Sequence, residues 1–256
     1  MRVHIREKIY ICGDFMHVDA FPVFAPSGNR RKRRFKPTSE TQKLLNDKYA
    51  LKHLEMLLET NFDDNDYHIR LSYNDKKQPT SDELAIKNIS NYIRRLKYKC
   101  NKLGYSAPVA VWCTEKGKKY GRYHHHLIIK CELARDEIER MWGKGYANSR
   151  RLQFNENGLT GLSKYLPKHP IGAQRWHSTR NLKKPIVREN DNMSKKQFEQ
   201  LFDSHATYDV FNARYKGYFV SQVEAKYNEV TGNKYLSFKM YRADSKYVNK
   251  TMRFIA

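Results

Sequence analysis

Residues 121–130 read GRYHHHLIIK, three consecutive histidines that run into an apolar, β-branched tail. Such a run reads as a strand, and strand side chains alternate between two faces. His124 and His126 therefore share one face, while His125 lies on the other with Tyr123, Leu127 and Ile129. Two imidazoles at i and i+2 are about 7 Å apart along a strand, close enough to share one metal ion. The preceding APVAVWCTE reads as a second strand and KGKKYG as the turn between them. Val109, Val111, Cys113 and Glu115 alternate onto one face of that strand, so Glu115 stands across the hairpin from the histidine pair. A carboxylate with two imidazoles is a mixed N/O donor set with open positions. It suits Mg²⁺ or Mn²⁺ acting on a phosphate substrate, and it also admits Zn²⁺. A bare H-x-H is more often two polar residues on a wet face. Glu115 and the charge of the chain turn that balance here. His125 borders the core or touches substrate and has no metal role.

A second group lies in LTGLSKYLPK. Wound as a helix at about 100° per residue, residues 158–168 place Gly161, Lys164, Tyr165 and Lys168 on one side and Leu159, Leu162 and Leu166 on the other. The leucines pack, and a phenol is offered between two lysines. Nearby cations favour phenolate, so Tyr165 is a candidate nucleophile. With 18 tyrosines in the chain, this motif is weak alone.

The elements that must position these groups follow from periodicity. Leu44, Leu51, Leu54 and Leu58 recur at helical spacing and predict a helix over about residues 40–59. DYHIRLSY (66–73) alternates, with Ile69, Leu71 and Tyr73 on one face and His68, Arg70 and Ser72 on the other. In QPTSDELAIKNISNYIRRLKYKCNKLG, Thr80 and Glu83 form a capping box. Leu84, Ile89, Ile93, Leu96, Cys100 and Leu103 form the apolar stripe. The hairpin of residues 109–130 follows, then a short helix over 134–142, a strand in YANSRRLQF, and a helix opening at Asn157. The order strand, helix, strand, strand, helix, strand, helix predicts an α+β fold, a central antiparallel sheet with helices packed on one face. Residues 1–59 read as an N-terminal basic arm and helix, 60–190 as the domain carrying the chemistry, and 191–256 as an α/β extension without a clear plan. The first 35 residues show little pattern.

Lys and Arg number 49 against 27 Asp and Glu, a formal net charge of +22 over 256 residues. Such a field steers polyanions, nucleic acid first. Arg30, Arg31, Lys32, Arg33 and Arg34 form an arm-like cluster that either contacts phosphate or is a solvated loop. RWHSTRNLKK interleaves Arg175, Trp176, Arg180, Lys183 and Lys184 in the manner of a single-strand-binding surface, and Arg70 shares the polar face of its strand. No segment approaches the ~20 apolar residues of a membrane span, so no membrane partner is expected. The N-terminus lacks a signal-peptide core. Cys12, Cys100, Cys113 and Cys131 have no zinc-ribbon or CxxC spacing, which fits a reducing, intracellular setting.

In their order, YHIRLSY, the strand ending at Glu115, GRYHHH and KYLPK resemble the HUH endonuclease superfamily, specifically the rolling-circle replication initiators of phages, plasmids and integrative elements. GRYHHH is similar to that family's Gly-Arg-x-His-x-His form, and Tyr165 with Lys168 to its Tyr-x-x-Lys. Glu115 sits where many members place a third ligand. The resemblance covers roughly residues 36–187. There are departures. His125 stands where a hydrophobic residue is usual. Gly161 occupies the position of a second tyrosine, so this looks like a one-tyrosine enzyme. Pro167 interrupts the helical motif and can end the helix at Leu166, which bears on where Lys168 sits.

The resemblance implies a metal-dependent single-strand nickase. His124, His126 and Glu115 would hold the ion. Tyr165 would attack to give a 5′-phosphotyrosine and a free 3′-OH, with Lys168 or Lys164 orienting it. The implied partners are single-stranded DNA or an origin hairpin, with a host helicase and polymerase, in the cytoplasm of a bacterial host. A relaxase or transposase would share this chemistry. A non-catalytic nucleic-acid-binding protein with structural histidines is the rival from another class.

Overall fold

The computed structural model describes residues 3–24, 39–117, 120–166, 170–172, 174–227 and 232–247. In chain order the elements are β1 (Val3–Cys12), β2 (Phe15–Phe24), α1 (Ser39–Asn61), β3 (Tyr67–Ser72), α2 (Asp82–Lys102), β4 (Val109–Lys116), β5 (Tyr123–Lys130), α3 (Arg135–Arg140) and β6 (Ala147–Arg151). They continue with α4 (Thr160–Tyr165), β7 (His177–Ser178), β8 (Ile186–Met193), α5 (Lys195–Asp203), α6 (Asp209–Arg214), β9 (Tyr218–Tyr227) and β10 (Lys234–Arg242). The chain forms two compact units, one from residues 1–60, 154–159 and 184–256, the other from 61–153 and 160–183. Each holds a five-stranded antiparallel sheet, so the fold is α+β as expected. Among the described residues no helix is long and apolar enough to cross a membrane.

The unit of 61–153 and 160–183 has the strand order β6-β3-β5-β4-β7. One face of its sheet is dry. Ile69, Leu71 and Tyr73 of β3, Leu127 and Ile129 of β5, and Ala110 and Trp112 of β4 pack against Ala85, Ile89, Tyr92, Ile93, Leu96 and Cys100 of α2 and against Ile138 and Trp142. Removing this much apolar surface from water drives the layer together at roughly 25 cal/mol per Å². The start of α2 differs from the expected box. Its N-cap is Ser81, whose hydroxyl accepts from the Leu84 amide. That makes Leu84 the third helical residue and leaves no Thr80/Glu83 box. The buried stripe runs through Ala85, Tyr92 and Leu96, and Leu84 lies about 100° round from that line. Leu84 is accordingly 40% exposed and Leu103 is exposed too. The Tyr92 hydroxyl, inside the core, donates to the Ile138 carbonyl at 2.7 Å.

The other unit holds the sheet β8-β1-β2-β10-β9, built from residues 1–35 and the C-terminal third, where the sequence shows little pattern. Ile5, Met16, Val18, Ala20, Leu236, Phe238 and Met240 form one face and pack on Phe198, Leu201 and Phe202 of α5 and Phe211 of α6. Charged residues inside the strands (Glu7, His17, Asp19, Lys239) mask the alternation, yet all four are buried. They are paired. His17 Nε2 lies 2.8 Å from Glu59 Oε2, and the Lys239 ammonium binds Glu55 at 2.6 Å, Glu59, and the Asn157 carbonyl at 2.7 Å. The Leu159 amide donates to Glu59 Oε1 at 3.1 Å. Lys52 adds a bridge to Asp19, and Lys48 one to Glu224. Thus α1 docks on this sheet through a ladder of charges at Lys48, Lys52, Glu55 and Glu59. The basic run of residues 30–34 lies outside the described residues.

Removing one partner from a buried ion network leaves an uncompensated charge, at about 3–5 kcal/mol. Lys239→Met is expected to lower the unfolding free energy by that order. Urea titration followed by circular dichroism measures it, and a loss below about 1 kcal/mol would show the network to be dispensable.

Candidate active site

The second face of the β6-β3-β5-β4-β7 sheet carries the polar residues. Across it the register sets Glu115 opposite His124 and Cys113 opposite His126 on β4 and β5. On the other side of β5, Arg70 lies opposite His126 and Ser72 opposite His124. Strand β6 continues the row, with Asn148 opposite Arg70 and Arg150 opposite His68. The hairpin that aligns β4 with β5 closes at Gly121, whose φ of +61° is a left-handed conformation favouring glycine. Arg122 then fastens the hairpin to the end of β3 through Asp75 and the Tyr73 carbonyl, the latter at 2.9 Å.

Glu115, His124 and His126 bring their ligand atoms within 4.8 Å of one another. His124 Nε2 is 3.1 Å from Glu115 Oε2, and His126 Nε2 is 3.9 Å from the same oxygen. His126 Nε2 is buried and has no hydrogen-bond partner. Its other nitrogen, Nδ1, is 3.1 Å from His68 Nε2. For Nε2 of His126 to offer a lone pair, Nδ1 must hold the proton and donate it to His68. That is the outer-shell arrangement which orients ligating histidines. Burial, then the neighbouring His68, pushes His126 down to about 4. Burial and the Arg150 cation lower His68 as well. Both rings are neutral at pH 7, the state that binds metal. The donor set and the orphaned nitrogen fit a divalent cation.

His125 points the other way. It is fully buried, with Nε2 at 2.8 Å from the Tyr73 hydroxyl and Nδ1 at 2.9 Å from Thr114 Oγ1. Burial lowers it to about 3, with smaller contributions from His124 and His126. It is a core residue, both nitrogens satisfied, in a place where an aliphatic side chain would pack.

The short helix α4 presents Tyr165, 49% exposed, with its ring 5.0 Å from that of His126 at 78°. It starts at Thr160 rather than Asn157, and its last helical hydrogen bond runs from the Leu166 amide to Leu162 at 3.0 Å. Pro167 cannot continue it. The freed Leu166 carbonyl accepts from the Cys113 thiol at 2.7 Å. Burial raises that thiol, keeping it protonated as a donor. The helix end is thereby tied to the strand position facing His126. Lys164 is exposed beside Tyr165, and Lys168 lies outside the described residues.

A cleft of about 450 Å³ opens here, lined among the described residues by His68, Arg70, His126, Asn148, Arg150 and Tyr165. Arg70 is thus brought to the site. Arg175 and Trp176 (half-buried) and Arg180 and Lys183 (exposed) belong to the same unit but are not among the lining residues, and Lys184 belongs to the other unit. Sequence reasoning passes over His68, Asn148 and Arg150 as functional groups. The signal is present, since each pair of i, i+2 polar residues, His68/Arg70 and Asn148/Arg150, marks one face of its strand.

A second triad, His17, Glu55 and Glu59, also brings ligand atoms within 4.8 Å. Lys239 already neutralises both of its carboxylates, so it is an ion network.

Residues 66–170 match the family model of the replication-associated protein ORF2. The matched stretch is under half of the 256-residue chain, but it contains Glu115, His124, His126 and Tyr165. It associates this region with replication. No curated protein and no solved structure matches significantly.

Outer-shell partners of a ligating histidine are worth about 10–100-fold in metal affinity. Calorimetric titration with Mn²⁺ is expected to show His68→Ala weakened by that factor and His126→Ala without measurable binding. Equal affinity in wild type and His126→Ala would remove these residues from the ligand set. His125 has its own pH signature. Its folded pKa of about 3 lies below its unfolded value of about 6.5. Between those values the unfolded chain binds more protons, so stability falls as pH falls through that window. The slope of unfolding free energy against pH is expected to flatten by up to ~1.4 kcal/mol per pH unit in His125→Leu. An unchanged slope would show that His125 is not held neutral.

Proposed function

We propose that this protein is a rolling-circle replication initiator of the HUH type. It would nick and rejoin single-stranded DNA at an origin, in the cytoplasm of a bacterial host. The observation that carries this reading is the placement of the half-exposed Tyr165 ring 5.0 Å from His126, itself part of a two-histidine, one-carboxylate donor set with an orphaned nitrogen. The match to replication-associated proteins supports the biological context.

Glu115, His124 and His126 hold a divalent ion, Mg²⁺ or Mn²⁺, and when bound the ion supplies Lewis-acid polarisation of the scissile phosphate. Tyr165 is the nucleophile. Its phenolic oxygen forms a new bond to phosphorus as the 3′ oxygen leaves, giving a 5′-phosphotyrosine and a free 3′-OH. The phenolic proton is released and the departing 3′ oxygen takes one up, so the step is a transesterification that retains the phosphodiester's energy and runs in reverse to rejoin the strand. Lys164 or Lys168 favours the phenolate by charge. The cleft arginines hold phosphate. The free 3′-OH primes a host polymerase, and a host helicase opens the duplex, since the chain has no P-loop motif.

The test uses a degenerate single-stranded DNA library with Mn²⁺, from which species still joined to protein after heat and detergent are recovered. Wild type is expected to yield a covalent adduct enriched in one sequence. Tyr165→Phe and EDTA-treated protein are expected to yield none. Adduct formation by Tyr165→Phe would displace the nucleophile. DNA binding without any adduct would instead identify a non-catalytic binding protein.

A further inference from the structure

Strand β6 contributes two residues to the cleft that the proposed chemistry does not use, Asn148 and Arg150. Alternation separates Arg150 from its neighbour. Arg151 stacks its guanidinium over the Tyr67 ring at 4.1 Å, and Tyr67 belongs to the dry face of β3. Arg150 faces the site, opposite His68, and Asn148 lies opposite Arg70. Arg150, Asn148 and Arg70 are all exposed within the cleft. Among the described residues neither Arg150 nor Arg70 is in an ion pair with a carboxylate, whereas many other cations of the chain are, from Lys8 and Arg6 to Lys239 and Arg242. Two unpaired guanidiniums and a free amide in one concave surface are an anion-binding arrangement in which the fold supplies no internal anion.

We infer that Arg150, with Asn148 and Arg70, forms a subsite for the sugar–phosphate backbone of the single strand flanking the scissile phosphate. This rests on the reading of the site as one that cleaves single-stranded DNA. Strands β6, β3 and β5 lie about 4.8 Å apart, so Arg150 stands two strand spacings, roughly 10 Å, from the row of His124 and His126. It is therefore out of reach of the phosphate that Tyr165 attacks and in reach of a neighbouring one. Arg70, midway, bridges the two. Arg150 binds a phosphate oxygen as a fork of donors, and the Asn148 amide adds a neutral hydrogen bond to sugar, phosphate or base edge. The track thus leaves the metal side of the sheet toward β6, which sets on which side of Tyr165 the flanking DNA lies.

The experiment separates binding from chemistry by using the full chain in a Tyr165→Phe background with EDTA. The probe is a fluorescent single-stranded oligonucleotide of mixed sequence, titrated by anisotropy at several salt concentrations. Each phosphate neutralised on a single strand contributes about −0.7 to the slope of log affinity against log salt. Arg150→Gln is expected to reduce the slope by about 0.7 and weaken binding roughly tenfold at low salt. Arg150→Lys, which keeps the charge, should retain the slope. Arg94→Gln, on the exposed side of α2, should leave both quantities unchanged. A slope for Arg150→Gln equal to that of the Arg94→Gln control overturns the subsite. If wild type forms no covalent adduct but Arg150 still governs the slope, the cleavage reading fails and the subsite stands.

Discussion

Everything in the site depends on the register of β5. Side chains alternate with a period of two, so sliding the strand by one residue would exchange its faces. His125 would then meet solvent, and His124 and His126 would enter a core with no partners for them. The register is held from the dry side, where Leu127 and Ile129 pack under α2 and both nitrogens of His125 are bonded. An imidazole with two directional partners constrains the strand more than an aliphatic side chain could, because a displaced position would leave buried polar atoms unpaired. The residue that departs from the usual hydrophobic middle position of the His-x-His motif is thus the one that locks the outward-facing pair in place.

A second constraint couples the tyrosine to that register. Strand β4 reaches both halves of the site, since Glu115 approaches His124 and Cys113 holds the carbonyl at the end of α4. The interruption at Pro167 frees that carbonyl for the thiol. Burial works in the same direction on His68, His126 and Cys113. It keeps the two imidazoles neutral and the thiol protonated. The permanent charges, Arg70 and Arg150, stay at the exposed edge of the cleft, where water shares the cost of their desolvation.

Much of this is readable in the sequence because it follows from alternation. The hairpin, the division of the three histidines and the position of Glu115 opposite His124 all derive from period two, and the strands of the 61–183 region follow from a clean pattern. The sheet of the other unit is not readable. Its strands carry Glu7, His17, Asp19 and Lys239 at buried positions, where a hydrophobic pattern expects apolar residues, and the compensating partners are distant in sequence. Glu59 finds His17 42 residues away and Lys239 180 residues away. The start of α2 differs by one residue from the sequence expectation because Thr80 and Ser81 are both good caps, and only packing of Tyr92 and Leu96 decides the phase. Alternation assigns His68 to the right face of its strand, but its bond to His126 depends on a cross-strand diagonal that a single strand does not reveal.

The pairing of β1 with β8 and of β2 with β10 has a consequence for synthesis. As the chain emerges from the ribosome, β1 and β2 appear first and form at most a lone hairpin, which is marginal in water. The strands that complete their sheet begin only at Ile186. All the strands of the other sheet, β3 to β7, are by then already made. The sheet bearing the histidines can thus close early, from near neighbours in sequence, while the N-terminal hairpin waits through most of translation with exposed edges. Its buried charges suit that interval, since Glu7, His17 and Asp19 keep the waiting strands hydrated until their partners arrive.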